Sequence, residues 1–144
     1  MPGTGFQPVL RDPKANEVTA TRVVLLTGKI YYDLVKERQA RGLDDVVGLV
    51  RIEELSPFPF SELRQVLTGY DRVKEFVWVQ EEPRNQGAYA HVASRIECVL
   101  TDMGRGGSRL VYVGRQESAL PATGIGQKYA VQQRGVIGAA FEDL

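Results

Sequence analysis

The fold of this chain follows from one stretch of its sequence, FVWVQEEPRNQG, which runs from Phe76 to Gly87. Residues 76–80 combine high β-propensity with an absence of charge, which predicts a buried strand. The next seven residues are polar or turn-forming, and apolar side chains then recur with a helical period over residues 88–100. A strand that opens through a polar loop into a helix is typical of the site-bearing corner of an α/β sheet.

Strand and helix patterns alternate on both sides of this stretch. Apolar runs predict strands at 22–27, 46–52 and 110–113, and residues 6–10 predict a short edge strand. The helical patterns cover 29–41, the segment between Ser61 and Gly69, 88–100 and 126–141, and residues 114–125 are expected to form a loop. Ser61 is the expected N-cap of the second helix, and Gly42 is the expected left-handed cap of the first.

This alternation predicts an α/β fold, with a mostly parallel sheet that is covered by helices on both faces. We divide the chain into residues 1–21, a linker with an edge strand, and residues 22–144, a single α/β domain. A chain of 144 residues is long enough to bury one sizeable core.

The composition excludes several classes of protein. Eighteen basic and eighteen acidic residues give no net charge, so no global field favours nucleic acid or an anionic membrane as a partner. The single cysteine, Cys98, precludes an internal disulfide and a multi-cysteine metal site. No apolar run approaches the ~20 residues of a membrane span, and we expect no targeting signal in this sequence.

Several motifs occur in the order in which one enzyme family carries them. The stretch from Gln80 to Ala88, QEEPRNQGA, resembles a pattern of the C-terminal domain of the 2-oxoglutarate and 2-oxoadipate dehydrogenases. These are the thiamine-diphosphate-dependent, decarboxylating components of the 2-oxoacid dehydrogenase complexes. The other matching motifs are LLTGK at 25–29, YYD at 31–33, VRIEEL at 50–55, PFP at 57–59 and YVGR at 112–115. The resemblance covers about Phe6 to Leu144.

The resemblance implies a fold and a function. The fold is a three-layer α/β/α sandwich with a mostly parallel five-stranded sheet, like the C-terminal domain of transketolase, and its antiparallel first strand corresponds to residues 6–10. The whole enzyme would decarboxylate a 2-oxoacid and transfer the acyl group to lipoamide, in the mitochondrial matrix of a eukaryote or otherwise in the cytoplasm. The implied partners are the remaining domains of the enzyme, a homodimer partner and the lipoyl acyltransferase component.

The implied cofactors, thiamine diphosphate and magnesium, are expected in the parent enzyme and not in this chain. The family binds them with a Gly-Asp-Gly stretch that this sequence lacks. We therefore expect no catalytic, cofactor-binding or metal-binding residue here, and we expect the chain alone to be inactive. Some family members bind an adenine nucleotide or acetyl-coenzyme A on this domain, so the alternatives are an effector-binding regulatory module or a docking domain for the acyltransferase.

Four residues at strand ends are candidates for binding an effector or another anion. Gly28 and Lys29 lie at a strand-to-helix turn, where free backbone N–H groups attract anions, although Gly28 also fits a tight turn alone. Arg51 and Arg115 also fall at strand ends. We therefore expect the three cations to converge at one rim of the sheet.

The polar loop is expected to have a structural or interface role, carried by Gln80, Glu81, Glu82, Asn85 and Gln86. Glu81 and Glu82 are expected to cap the following helix or to pair with arginine across a subunit contact. In that helix, His91 is expected on the solvated side, and Cys98 is expected to be an inert packing residue.

Overall fold

The apolar runs of the sequence lie side by side in one five-stranded sheet. The structure is a computed structural model that describes residues 7–108, 110–115 and 126–144. In that part of the chain the strands are β1 (Val9–Leu10), β2 (Arg22–Leu26), β3 (Val47–Ile52), β4 (Glu75–Pro83) and β5 (Leu110–Arg115). The helices are α1 (Ile30–Ala40), α2 (Phe60–Thr68), α3 (Tyr89–Asp102) and α4 (Gly126–Ala139).

The strand order in the sheet is β1-β3-β2-β4-β5. Four strands are mutually parallel, and β1 alone is antiparallel to its neighbour, with Val9 opposite Ile52. The chain leaves β2 through α1 towards β3 on one side, and it returns through α2 to β4 on the other side of β2. The order therefore reverses between β2 and β4 at the carboxyl edge, by which we mean the edge where the four parallel strands end. The opposite edge is called the amino edge.

The helices cover both faces of the sheet because the strands alternate their side chains between two cores. Trp78 and Leu25 pack with α2 and α3, while Val77 and Val24 pack with α1 and α4. Consecutive residues of one strand thus pack in different cores. This arrangement confirms the predicted three-layer α/β/α sandwich with a mostly parallel five-stranded sheet.

The structure also corrects several predicted boundaries. Ser61 is not an N-cap: α2 already begins at Phe60, after Pro59, and Leu63 N–H bonds to the Pro59 carbonyl at 3.0 Å. Pro59 is the N-cap residue and has no side-chain acceptor, so α2 begins without a side-chain cap. β4 continues to Pro83 instead of ending at Gln80. β5 includes Gly114 and Arg115, which the sequence pattern places in the loop of residues 114–125. Gly42, with φ of 66°, is confirmed as the left-handed residue after α1.

Some predictions lie partly outside the described residues. The edge strand is present as Val9–Leu10, but Phe6 is outside the described ranges, as are residues 116–125 of the predicted loop. The division of the chain at residue 21 stays a prediction. Within the described ranges, no helix is both long enough and apolar enough to cross a membrane.

Residues 7–20, which we call the N-terminal strap, are joined to the rest of the fold by a buried ion pair. The Asp12 carboxylate accepts hydrogen bonds from Arg38 on α1 and from Leu49 N–H on β3, the latter at 2.8 Å. The side chain of Asp12 is 0% exposed and that of Arg38 is 1% exposed. Arg38 also donates to the Val47 carbonyl at 2.9 Å, and its Nε lies 3.0 Å from Asp44.

Burial and hydrogen bonding act in opposite directions on the Asp12 carboxyl. Burial disfavours its charge, but the hydrogen bonds from Arg38, Leu49 N–H and Lys14 N–H outweigh burial and lower the pKa of Asp12 below its ordinary value of 3.8. Asp12 is therefore ionised throughout the neutral range. The strap is held by a charge that has a full set of partners, which is the condition under which a buried ion pair is tolerated.

Asp12→Asn should lower the free energy of unfolding by about 3–5 kcal/mol at pH 7, because it leaves the buried guanidinium without its main counter-charge. Since folding lowers the pKa of Asp12, the stabilisation is present above the ordinary pKa of 3.8 and is lost as the pH falls through the lowered value. In urea unfolding, the difference between the wild type and the variant should therefore shrink as the pH is reduced from 7 to 2.

The matched control for this substitution is Asp71→Asn, because the side chain of Asp71 is 90% exposed and lies 3.9 Å from Arg105. This control should change the free energy of unfolding by less than about 0.5 kcal/mol. A loss from Asp12→Asn that does not depend on pH, or an equal loss from the control, would show that the strap is held by something other than this charge.

Candidate functional site

The carboxyl edge of the sheet gathers nearly all of the candidate residues, and its best-defined part is the loop between β4 and α3. Gln80 is buried in β4 and lies on the same face as Trp78, two residues earlier. This is the face that α3 covers. The position of Gln80 in the strand therefore directs its amide group towards the start of α3.

The Gln80 amide bonds to five groups around it. Its Oε1 accepts hydrogen bonds from Trp78 Nε1 and from Tyr89 N–H, both at 2.9 Å. Its Nε2 donates to the carbonyls of Pro83 and Gln86 at 2.8 Å, and to the carbonyl of Glu82 at 3.2 Å. One side chain thus satisfies three loop carbonyls and one of the unpaired N–H groups at the start of α3.

This network corrects the prediction that Glu81 or Glu82 caps α3. Ala88, the N-cap residue, forms no side-chain capping bond, and the N–H of Tyr89 bonds to Gln80 instead. Glu81 turns to the other face, where its Oε1 accepts a hydrogen bond from Gln133 Nε2 at 2.7 Å. The side chains of Glu82, Asn85 and Gln86 are exposed. The interface role of this loop stays a prediction.

A second polar connection ties α4 to the ends of two strands. Arg115, the last residue of β5, donates from Nη2 to Gln133 Oε1 at 3.0 Å, and Gln133 in turn donates to Glu81 at the end of β4. On the other face, the Tyr112 hydroxyl lies 2.9 Å from the Glu82 carbonyl and 3.0 Å from the Arg115 carbonyl. The sequence does not predict Gln133 and Tyr112 as site residues, because it gives no sign of the groups that they contact.

Gly28 and Lys29 form the turn between β2 and α1. Gly28 has φ of 85°, a left-handed conformation that glycine adopts at little cost, so the tight-turn interpretation of Gly28 is confirmed. Lys29 is the N-cap residue of α1 and is exposed. On the neighbouring β3, Arg51 lies opposite Leu26, and its guanidinium stacks 3.9 Å above the ring of Tyr31.

The three predicted cations share the carboxyl edge but do not form one cluster. Lys29 and Arg51 follow neighbouring strands, whereas Arg115 is on β5. Three strand spacings separate β3 from β5, which corresponds to about 14 Å. Arg115 also belongs to the Gln133 connection. The anion-binding role of Gly28, Lys29, Arg51 and Arg115 stays a prediction.

Two single-residue predictions on α3 are wrong. His91 is half-buried, and its Nε2 lies 2.7 Å from the Leu55 carbonyl, so the ring nitrogen donates to the segment after β3 and is not simply solvated. Cys98 is exposed, because it lies outside the stripe of Val92, Ile96 and Val99 that packs on the sheet. In the part of the chain that the structure describes, no group of three His, Cys, Asp or Glu side chains is placed to hold a metal ion.

Comparison with known proteins identifies a family. The family model described as 2-oxoglutarate dehydrogenase C-terminal matches residues 1–141. A probable 2-oxoadipate dehydrogenase complex component E1 homolog from Caenorhabditis elegans is 40% identical over 141 residues, which are 97% of this chain and 15% of that protein. The 2-oxoglutarate dehydrogenase-like, mitochondrial protein of Xenopus laevis is 40% identical over 144 residues, covering 97% of this chain and 14% of that protein.

A bacterial protein is similar to the same degree. The 2-oxoglutarate dehydrogenase E1 component of Brucella anthropi is 46% identical over 122 residues, which are 85% of this chain and 12% of that protein. The chain thus spans only 12% to 15% of the length of these three relatives.

Gln80→Glu should lower the free energy of unfolding by about 3 kcal/mol, because a carboxylate cannot donate to the three loop carbonyls and would bury a charge beside them. Urea unfolding followed by the fluorescence of Trp78, the single tryptophan of the chain, measures this loss. Gln86→Glu makes the same chemical change on an exposed side chain and should cost less than about 0.5 kcal/mol. Equal costs for the two variants would contradict the central role of the Gln80 amide.

Proposed function

The chain belongs to the 2-oxoglutarate dehydrogenase C-terminal family, and on that premise we propose that it is the C-terminal domain of a decarboxylating 2-oxoacid dehydrogenase component. The whole enzyme would use thiamine diphosphate and magnesium to decarboxylate 2-oxoglutarate or 2-oxoadipate, and it would pass the acyl group to a lipoyl arm. The observation that carries this proposal is the match over nearly the whole chain to proteins that are several times longer.

In that enzyme, the role that we propose for this domain is support. It would help to assemble the homodimer and hold the domains that carry the cofactor. The proposed partners are the remaining domains of the enzyme, a second copy of it and the lipoyl acyltransferase component. The segment from Gln80 to Gln86 supports this role, because the buried amide of Gln80 bonds to its backbone while the side chains of Glu82, Asn85 and Gln86 are exposed.

The cofactors are proposed to lie on the preceding domains. Magnesium needs several oxygen ligands around one point. The Glu81 carboxylate, which lies near the end of β4, is already bonded to Gln133 on α4. The proposed location of the enzyme is the mitochondrial matrix in a eukaryote, in keeping with the mitochondrial relative from Xenopus laevis, and the cytoplasm in a bacterium.

The 144-residue chain alone should show no heat of binding when it is titrated with thiamine diphosphate and magnesium, and it should not decarboxylate 2-oxoglutarate or 2-oxoadipate. The reason is that the residues for cofactor binding are proposed to lie elsewhere in the enzyme. Isothermal titration calorimetry and a decarboxylation assay measure the two outcomes. Binding with a micromolar Kd or any turnover by the chain alone would refute this assignment.

The second candidate function is effector sensing at the turn of Gly28 and Lys29. It is favoured by the placement of Lys29 at the start of an 11-residue helix, beside the strand that carries Arg51. A helix N-terminus with nearby cations is a suitable place for a phosphate. The ligand would be an adenine nucleotide or acetyl-coenzyme A.

If an effector binds there, AMP or acetyl-coenzyme A should shift the amide resonances of Gly28 and Lys29 in the ¹H–¹⁵N spectrum of the chain. Lys29→Gln should weaken binding about tenfold, since it removes one charge-assisted contact to phosphate. Lys36→Gln, an exposed lysine of the same helix, is the matched control. Unchanged Gly28 and Lys29 resonances with both ligands would contradict effector binding. The supporting role would then be the one remaining proposal.

A further inference from the structure

The carboxyl edge is also the place where the polypeptide enters the domain. β1 runs antiparallel to β3, so its first residues lie beside the end of β3. The Pro8 carbonyl accepts hydrogen bonds from the N–H groups of Glu53 at 2.8 Å and Glu54 at 3.3 Å, just beyond β3. The strap then runs along β3 towards the amino edge, where Thr19 bonds to the Asp45 carbonyl at 2.6 Å. Pro8, near the start of the described part of the chain, therefore lies at the carboxyl edge.

The amino edge anchors two arginines within the domain. At the amino edge, Arg22 donates to Glu75 and to the Ala140 carbonyl, and Arg105 donates to the Tyr70 carbonyl. These contacts hold both guanidiniums within the domain, although Arg22 Nε and Arg105 Nη1 have no hydrogen-bond partner among the described residues. At the carboxyl edge, the side chains of Glu82, Asn85 and Gln86 are exposed and form no hydrogen bond or ion pair with the residues that the structure describes. Among the described residues, these polar groups therefore contribute no hydrogen bond or ion pair to stability.

The backbone beneath these unused side chains is nevertheless fixed. Three carbonyls of the loop bond to the Gln80 amide, and the guanidinium of Arg84 lies 5.4 Å and 5.7 Å from the ring centres of Tyr89 and Tyr112. A polar surface that is held in one conformation before contact loses little entropy on binding. This loop therefore has the properties of a preformed docking surface.

We propose that the carboxyl-edge surface, formed by Gly28–Lys29, Glu53 and Glu82–Gly87, docks against the preceding part of the same polypeptide. The inference rests on the proposed function, in which this chain is the final domain of a longer enzyme. This occupant is favoured because the described part of the chain begins at this edge, where the Pro8 carbonyl bonds to Glu53 N–H. Hydrogen-bonding groups and a basic side chain on the occupant would complement Glu82, Asn85 and Gln86.

Backbone amide hydrogen exchange tests the proposal in the full-length enzyme. The amides of Gly28, Lys29 and Arg84–Gly87 should exchange at least about tenfold more slowly in the full-length enzyme than in the 144-residue chain. The amides near the amino edge, at Asp44–Asp45 and Asp71–Lys74, should exchange at the same rate in both. Protection of the amino edge instead would overturn the inference and leave the proposed function intact. Protection of no surface would overturn both the inference and the supporting role.

A pair of charge reversals in the full-length enzyme tests the same contact without using the shorter chain. Glu82→Lys alters an exposed acid at the carboxyl edge, and Asp45→Lys makes the same change at an exposed acid beside the amino edge. Glu82→Lys should increase the exchange rate of the Gly28 and Lys29 amides at least about tenfold, because the docked surfaces separate more often. Asp45→Lys should leave these rates unchanged. Equal effects of the two substitutions, or no effect of either, would overturn the proposal.

Discussion

The buried amide of Gln80 is the interaction on which the carboxyl edge of this domain depends. A buried polar group is costly unless it is hydrogen-bonded, and Gln80 satisfies both ends of its amide inside the protein. The arrangement requires a side chain that accepts and donates at the same time. A glutamate has no donor, a lysine has no acceptor, and an asparagine is one methylene shorter. The choice of glutamine follows directly from what the loop and the start of α3 require.

The N-terminal strap is also held by a buried polar group whose hydrogen bonds are made inside the protein, but here the group is charged. Asp12 brings a carboxylate to the outer side of β3, where it meets Arg38 from α1 and the N–H of Leu49. Further hydrogen bonds make a buried ion pair tolerable, and here they come from Leu49 N–H and the Val47 carbonyl of β3 and from Lys14 N–H in the strap. With the strap in place, β1 pairs with Arg51 and Ile52 and Asp12 bonds to Leu49 N–H, so the strap covers part of the outer side of β3.

The sequence was sufficient to predict the parts of the fold that depend on local pattern. The apolar runs at Arg22–Leu26 and Val47–Ile52, the period of α3 and the glycine at residue 42 each carry their own signal. The resemblance to a known family then gave the number of strands and the antiparallel first strand. A sandwich architecture of this kind can therefore be predicted without knowing its individual long-range contacts.

The polar contacts could not be predicted in the same way, because each joins residues that are distant in sequence. Asp12 and Arg38 are 26 residues apart, and Glu81 and Gln133 are 52 residues apart. Gln80 belongs to the polar run of residues 80–87, but nothing in that run distinguishes its buried amide from the exposed amide of Gln86. The sequence pattern favours Glu81 and Glu82 as caps of α3. The N–H of Tyr89 bonds instead to Gln80, whose position in β4 directs its side chain at the helix.

The strand order also sets the size of any ligand that could use all of the predicted cations. Lys29 follows β2 and Arg51 lies near the end of the neighbouring β3, whereas Arg115 is the last residue of β5. With about 14 Å between β3 and β5, a single phosphate at Lys29 and Arg51 would leave Arg115 in its contact with Gln133. A ligand that recruited Arg115 would have to be as long as a nucleotide, and it would compete with Gln133 for the guanidinium. Because Gln133 also holds Glu81, such a ligand would act on α4 and on the loop after β4 together.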